Sequence, residues 1–391
     1  MTDRERMLKS IAGEAPDRIA WVPRLEFWYR ARMRNGTLPA EVRGLSMMEI
    51  AEKLGAGYYS IVPDFTECPG ELDMIDRALG IFRLDVLPYR AELDGTDRRI
   101  LKRGKETVVE YHTPVGSIHT TTFYTEEMLD AGASVPWTND HAIRKPEDFD
   151  TLAWIFSRIR VTPQREGYRR MRERVGERGI VIGYVSGTAC PIHLIMKELM
   201  PLDQFFFALH DYPEKVEMLV EAMMPYYLSM QECAADSTAE VVLLGGNYDD
   251  SITYPAFYRK HILPHLRDFA GQLHSRGKYL ITHTDGENRK LLKLYLETDF
   301  DVADSVCPYP MTSVKLEEFI EAFKDRITVV GGIPAVLLCK DSASMEDCRN
   351  FIEPLIERYG RVPRFILGVS DMVTADCEWD RLLYVSERVT R

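Results

Sequence analysis

The sequence predicts an α/β fold, a (β/α)8 TIM-type barrel with an N-terminal extension and a β-hairpin insertion. Three observations carry this reading. About eight short apolar runs, at residues 19–22, 58–62, 181–185, 241–244, 279–282, 302–306, 327–330 and 365–369, alternate with stretches of helical spacing. The runs are almost continuously apolar, as strands of a parallel sheet covered on both faces must be. No G-x-G-x-x-G follows the first run, which disfavours an open dinucleotide-binding sheet and leaves the closed barrel.

Taken in order, residues 3–14 space Met7, Leu8 and Ile11 on one side of a short helix, and Ala15-Pro16-Asp17 breaks it. Ile19-Ala20-Trp21-Val22 is the first strand. Behind it, Arg24 to Arg34 interleaves arginines with Phe27, Trp28 and Tyr29, a pattern that suits a site wall or a covering helix equally. A helix over 45–54 precedes the second strand, Tyr58 to Val62, stopped by Pro63-Asp64. Residues 81–124 change character: Val108 to His112 and Ser117 to Tyr124 alternate around Thr113-Pro114-Val115-Gly116, the mark of an antiparallel hairpin. From residue 150 onward the alternation is regular, with helices at 163–178, 190–201, 203–209, 213–235, 255–276, 288–297, 314–324, 344–359 and 378–389. The whole chain, 1–391, reads as one barrel domain carrying the inserted hairpin region at about 81–124.

Composition sets bounds on function. Lys plus Arg is 49 and Asp plus Glu is 61, a formal charge of −12, where a nucleic-acid partner calls for a basic face. No apolar run approaches a membrane span, and the polar start Met1-Thr2-Asp3-Arg4-Glu5-Arg6 lacks a signal segment, so a cytoplasmic protein is expected. The cysteines at 68, 190, 233, 307, 339, 348 and 377 are odd in number and form no CxxC pair, so no disulfide framework or zinc ribbon is expected. Nothing in the sequence decides the oligomeric state, and a homodimer stays open.

In a barrel the chemistry gathers at the carboxyl ends of the strands. Those ends carry Asn247, Asp249 and Asp250, then His283 and Asp285, then Asp304 and Cys307, then Ser370 and Asp371 with Cys377 beyond. One such acid is a helix cap, but four successive polar ends call for a cation or a substrate group to offset their mutual repulsion. Two readings follow. His283 with carboxylates, and a thiolate if Cys307 or Cys377 joins, suits Zn2+ with an open position; without metal, His283 and Asp285 make a general acid/base pair. His112 and His119 read as exposed strand residues, and His261, His265 and His274 as helix surface.

Several further pieces, in their order and spacing, resemble the uroporphyrinogen decarboxylase superfamily along nearly the whole chain. They are Ala15-Pro16-Asp17-Arg18-Ile19, Tyr111-His112-Thr113-Pro114-Val115-Gly116, Tyr254-Pro255-Ala256-Phe257-Tyr258, His283-Thr284-Asp285-Gly286, Gly331-Gly332-Ile333-Pro334 and Phe365-Ile366-Leu367-Gly368. The resemblance implies a (β/α)8 barrel and one of two chemistries. True decarboxylases hold their substrate with an arginine-rich segment after the first strand and use no metal; Arg24, Arg30, Arg32 and Arg34 stand there in this chain. Methyltransferase members bind zinc through a His-x-Cys pair and a later Cys, and move methyl groups to or from a corrinoid protein or a thiol.

Here His283 stands at the histidine position, Asp285 at the first cysteine and Asp371 at the second. An oxygen-rich ligand set activates a thiolate poorly and suits an ether oxygen better. The resemblance therefore implies a zinc-dependent methyltransferase of the corrinoid O-demethylase type, with a small methoxylated, aromatic substrate and the corrinoid carried by a partner protein. The expected metal ligands are His283, Asp285 and Asp371, with Cys377, Cys307 and Asp250 as alternates. Catalytic roles are expected for His283, Asp285, Asp250 and Tyr248, and substrate contacts for Phe27, Trp28, Arg30 and Asn247. The rival readings are a metal-free decarboxylase, a methylcorrinoid:thiol methyltransferase and a non-catalytic tetrapyrrole binder.

Overall fold

A computed structural model describes residues 1–61, 71–323 and 325–390. Eight strands form its central sheet: Ala20–Val22, Tyr58–Ile61, Gly179–Ser186, Val241–Gly246, Tyr279–His283, Val302–Val306, Thr328–Ile333 and Phe365–Val369. Their order around the sheet is first, eighth, seventh, sixth, fifth, fourth, third, second, every pairing parallel. The first and second strands share no ladder, but Gly57 N–H donates to Trp21 O at 2.8 Å across the seam. The barrel is thus nearly closed, as predicted. The tail of the second strand at Val62, its stop at Pro63-Asp64, Cys68 and the predicted helix end at Lys324 lie outside the described residues.

Every residue of the seven barrel strands other than Tyr279–His283 is buried, which explains why they read as unbroken apolar runs. The N-terminal helix Asp3–Ala12 packs at the amino end of the barrel. It opens with a capping box between Thr2 and Glu5 and stops at Gly13, whose φ of 81° suits a residue with no Cβ. Thr328 Oγ1 and the Arg364 guanidinium donate to the carbonyls of Ser10 and Ile11, fixing that helix under the seventh and eighth strands. At the other end of the sequence, Trp21 Nε1 donates to Ser386 Oγ on helix Trp379–Thr390.

The insertion lies between the second and third barrel strands. Its predicted hairpin is present as Glu106–Thr113 and Gly116–Phe123, with Thr113 Oγ1 holding the turn. Asp97–Arg103 and Trp137–Asp140 flank it, so the sheet has four strands and reaches Asp140, beyond the expected boundary. The buried carboxylate of Asp76 ties this sheet down, accepting from Arg83, Arg98 and the Tyr111 hydroxyl at 2.6–3.0 Å. Three predicted helices differ; the stretch 190–201 divides into Pro191–Leu194 and a wide turn Ile195–Leu199. The stretch 255–276 splits into Pro255–Phe257, a wide turn Tyr258–Ile262 and Leu263–His274, because Pro264 has no N–H to continue the ladder. The stretch 288–297 keeps only Leu292–Tyr295 as helix.

Candidate active site

Backbone conformation marks the mouth of the barrel. Arg24, Asn247, Ser305 and Ser370 all have positive φ, at 38°, 56°, 60° and 40°. They lie at or just beyond the carboxyl ends of the first, fourth, sixth and eighth strands. Left-handed non-glycine residues cost on the order of 1–3 kcal/mol each and gather where the fold holds side chains in a required direction.

At the centre stands His283, the last residue of the fifth strand and in register with Asp304 on the sixth. Its Nδ1 donates to Asp304 Oδ2 at 2.8 Å, and its Nε2 lies 3.6 Å from Asp371 Oδ1. The Asp304 carbonyl is clamped by the backbone N–H and the hydroxyl of Thr284. Arg24 closes the group, with Nη1 3.7 Å from Asp304 Oδ2 and 3.4 Å from Asp371 Oδ1. Ser305 Oγ sits 3.1 Å from each of those two oxygens. Gly246 makes room for the imidazole: a Cβ there would lie 2.8 Å from the Cβ of His283.

The charges set one another. Burial alone would lower the His283 pKa, but the hydrogen bond to Asp304 and the charges of Asp371 and Asp304 outweigh it and raise the value above ordinary imidazole. Burial would likewise raise Asp304, yet the His283 hydrogen bond and the Arg24 charge hold it below the usual carboxylate range. Glu26, fully buried beside Arg24, is raised by burial. Beneath the site lies the buried Tyr59, whose hydroxyl is raised far above an ordinary phenol by burial and then by the Asp304 charge. The result is an imidazole between two carboxylates, with a guanidinium beside them.

A second pair adjoins it. The Cys307 thiol donates to Asp285 Oδ1 at 3.0 Å, and burial, then the Asp285 charge, push its pKa upward. Glycine at 286, φ 100°, turns the chain behind Asp285.

The expected zinc site can be tested against this geometry. In favour, a histidine steadied at one nitrogen by a carboxylate, with the other nitrogen facing a second carboxylate, is how ligating histidines are held. Against it, no group of three His, Cys, Asp or Glu side chains among the described residues is arranged to hold a metal ion. Asp285 is turned to Cys307, and Arg24 already places a positive charge against Asp371. The described donor set does not fit a resident zinc, and Arg24 places a positive charge among the crowded acids.

The other expected residues divide by position. Asn247 reaches the mouth, its N–H on His283 O at 2.8 Å and its Oδ1 accepting from Lys197 Nζ at 3.2 Å. Arg30 is partly buried and acts electrostatically on Glu26. Phe27 is half-buried, its carbonyl pressed toward Gly132 of the insertion. Four expectations need correction. Asp250 is a buried loop anchor that accepts from the Lys290 backbone N–H and ammonium. Tyr248 is wholly buried, bonded to Thr282 Oγ1 and packed against His193, Tyr258 and Tyr295, so it supports the strand ends from below. Trp28 is wholly buried, stacks on Trp379 and donates to Cys377 O. Cys377 faces Cys339 and Thr374, away from His283.

Asp304 was legible as a strand end but not as the partner of His283, although an aspartate inside the buried run Val302-Ala303-Asp304-Ser305-Val306 signals a charge that must be paired. Arg24 was legible only as one of four arginines. Lys197 carried no sequence signal, since it sits inside an ordinary helical pattern.

Residues 127–391 match the family uroporphyrinogen decarboxylase (URO-D), and the chain belongs to that family. Among solved structures it is similar to a methyltransferase from Methanosarcina mazei, with 13% identity and a TM-score of 0.52, covering 100% of this chain and 98% of that one. At that identity the likeness shows a shared fold. No curated protein matches the chain. No described helix is long and apolar enough to cross a membrane.

Proposed function

We propose that this protein is a methyltransferase that takes the methyl group of a small methoxylated, aromatic substrate and hands it to a corrinoid protein, with His283 as the acid. The observation that carries the reading is His283 held at Nδ1 by Asp304 with its Nε2 3.6 Å from Asp371 Oδ1, an arrangement that raises its pKa. Cleaving an ether leaves an alkoxide or phenolate, and a proton donor at that oxygen lowers the barrier. As the O–CH3 bond breaks, its electron pair stays on oxygen and the Nε2 proton moves to it; Asp304 keeps the other proton in place. Arg24 balances Asp304 and Asp371, so that they hold His283 charged without taking its proton outright. The corrinoid, carried by a separate protein, would supply the nucleophile that accepts the methyl group.

The arginine segment weighs against the decarboxylase rival. Arg34 is engaged by Glu126 and Asp130 on the outer side, and Arg32 lies over Trp28 and donates to Cys377 O. With Arg24 held between Asp304 and Asp371 as well, the segment offers few guanidinium groups to a substrate with many carboxylates. The test is methyl release from methoxyarenes in the presence of a reduced corrinoid protein, before and after chelation, with metal content measured in parallel. Transfer that survives chelation in metal-free protein supports this reading. Stoichiometric zinc, with loss of transfer on its removal, replaces His283 with a metal as the acid.

A further inference from the structure

We infer that Cys339 and Cys377 form a redox-sensitive pair, which a hydroperoxide converts into a disulfide joining the loops after the seventh and eighth strands. The inference stands apart from the methyl-transfer chemistry. Cys339 follows the short turn Ala335–Leu338, and Cys377 lies in the loop that carries Asp371, just before helix Trp379–Thr390. The two residues face each other as an isolated antiparallel bridge. Glu378 N–H donates to Leu338 O at 2.8 Å, which makes Cys339 and Cys377 the close, non-hydrogen-bonded kind of pair. In such a pair the Cα atoms lie about 4.5 Å apart, within the span that a disulfide bridges. Both thiols are free, and their sulfurs lie 3.6 Å apart. Among the described residues no other hydrogen bond joins two thiols: Cys190 turns to His261 O and Cys307 to Asp285.

The two sulfurs are not equivalent. Cys339 keeps an exposed edge, 5% of its surface, where Cys377 has none. Hydrogen bonding from the Cys377 thiol also draws Cys339 below an ordinary thiol, against its burial, and Cys377 is raised in turn. Cys339 is therefore the attacking sulfur and Cys377 the resolving one. The Cys339 thiolate attacks one oxygen of hydrogen peroxide, the O–O bond breaks, and the other oxygen leaves as water. The Cys377 sulfur then attacks the sulfenic acid; the S–S bond forms, the S–O bond breaks and a second water leaves. Two thiols thus give two electrons and two protons to one peroxide. The consequence falls on the mouth of the barrel. Cys377 O receives the Trp28 indole and the Arg32 guanidinium, and Val373 O receives the Trp28 N–H. The new bond fastens that loop, and Asp371 with it, to the turn after the seventh strand.

The test treats the folded full chain with hydrogen peroxide and maps its seven cysteines by mass spectrometry. The expected first product is a Cys339–Cys377 disulfide, formed ahead of any change at the more exposed Cys233 and reversed by dithiothreitol. Free thiols counted after denaturation fall by two, and the urea midpoint rises because the bond restrains the unfolded chain. In Cys377→Ser the Cys339 sulfenic acid has no partner and is captured by dimedone. Three results would each overturn the proposal. The pair stays reduced at peroxide levels that oxidise Cys233, or wild-type Cys339 passes to sulfinic acid without forming the bond, or the bond forms and lowers the urea midpoint.

Discussion

At the scale of a residue, the proposed acid is His283, and its hydrogen bond to Asp304 helps to raise its pKa. In Asp304→Asn the hydrogen bond and charge that raise the imidazole are weakened, while burial still lowers it. The His283 pKa should fall, and the basic limb of the pH profile for methyl transfer should move to lower pH with it. Nuclear magnetic resonance titration of the imidazole and a pH–rate series check this together. An unchanged limb would separate Asp304 from the acid. A second change acts through space alone. Gly246→Ala puts a Cβ 2.8 Å from that of His283, so it should reduce transfer far more than it reduces the urea midpoint.

At the scale of elements, the loop after the eighth strand and the helix after the first strand, Glu26–Arg34, hold each other. Trp28 N–H donates to Val373 O, Val373 N–H to Arg24 O, and the Trp28 indole to Cys377 O. These bonds fix Arg24 and Asp371 relative to one another. Trp28→Ala removes a wholly buried indole stacked on Trp379 and should cost about 3–5 kcal/mol of stability, read from denaturant unfolding. Phe27-Trp28-Tyr29 read in the sequence as a site wall or a covering helix, and which way they face was not legible, because a helix lying on a barrel presents aromatics both inward and outward. The same limit explains Tyr248 and Asp250. Residues just past a strand end either line the mouth or prop it, and spacing alone does not separate the two. His283 was legible because it ends a strand whose periodicity fixes its direction. The partnership of Asp304, Arg24 and Asp371 was not, since it joins the ends of three strands distant in sequence.

For the whole molecule, the barrel itself was legible from eight apolar runs, whereas the breadth of the insertion was not, because Trp137–Asp140 is short and mostly exposed. That sheet depends on the buried Asp76. Asp76→Ala leaves Arg83 and Arg98 without their buried partner and should cost about 3–5 kcal/mol, with the insertion lost ahead of the barrel in hydrogen exchange. The site also leaves its mark on global stability. The folded pKa of His283 is raised, so its contribution is complete below the unfolded value of about 6.5 and is lost as pH rises through the folded value. The folded pKa of Asp304 is lowered, so its contribution is present above about 3.9 and is lost as pH falls through the folded value. Urea unfolding across pH should show both limbs, and both should flatten in Asp304→Asn.

The most direct measurement is methyl transfer from 4-methoxybenzoate to a reduced corrinoid protein by metal-free wild type and by His283→Gln, with folding of the variant verified by its urea midpoint. Wild-type protein should transfer the methyl group, and the variant should be slower by about 100-fold to 10,000-fold, the range for loss of a general acid. Transfer by His283→Gln at the wild-type rate, or none by the metal-free wild type until zinc is restored, would contradict an acid built from His283, Asp304 and Arg24.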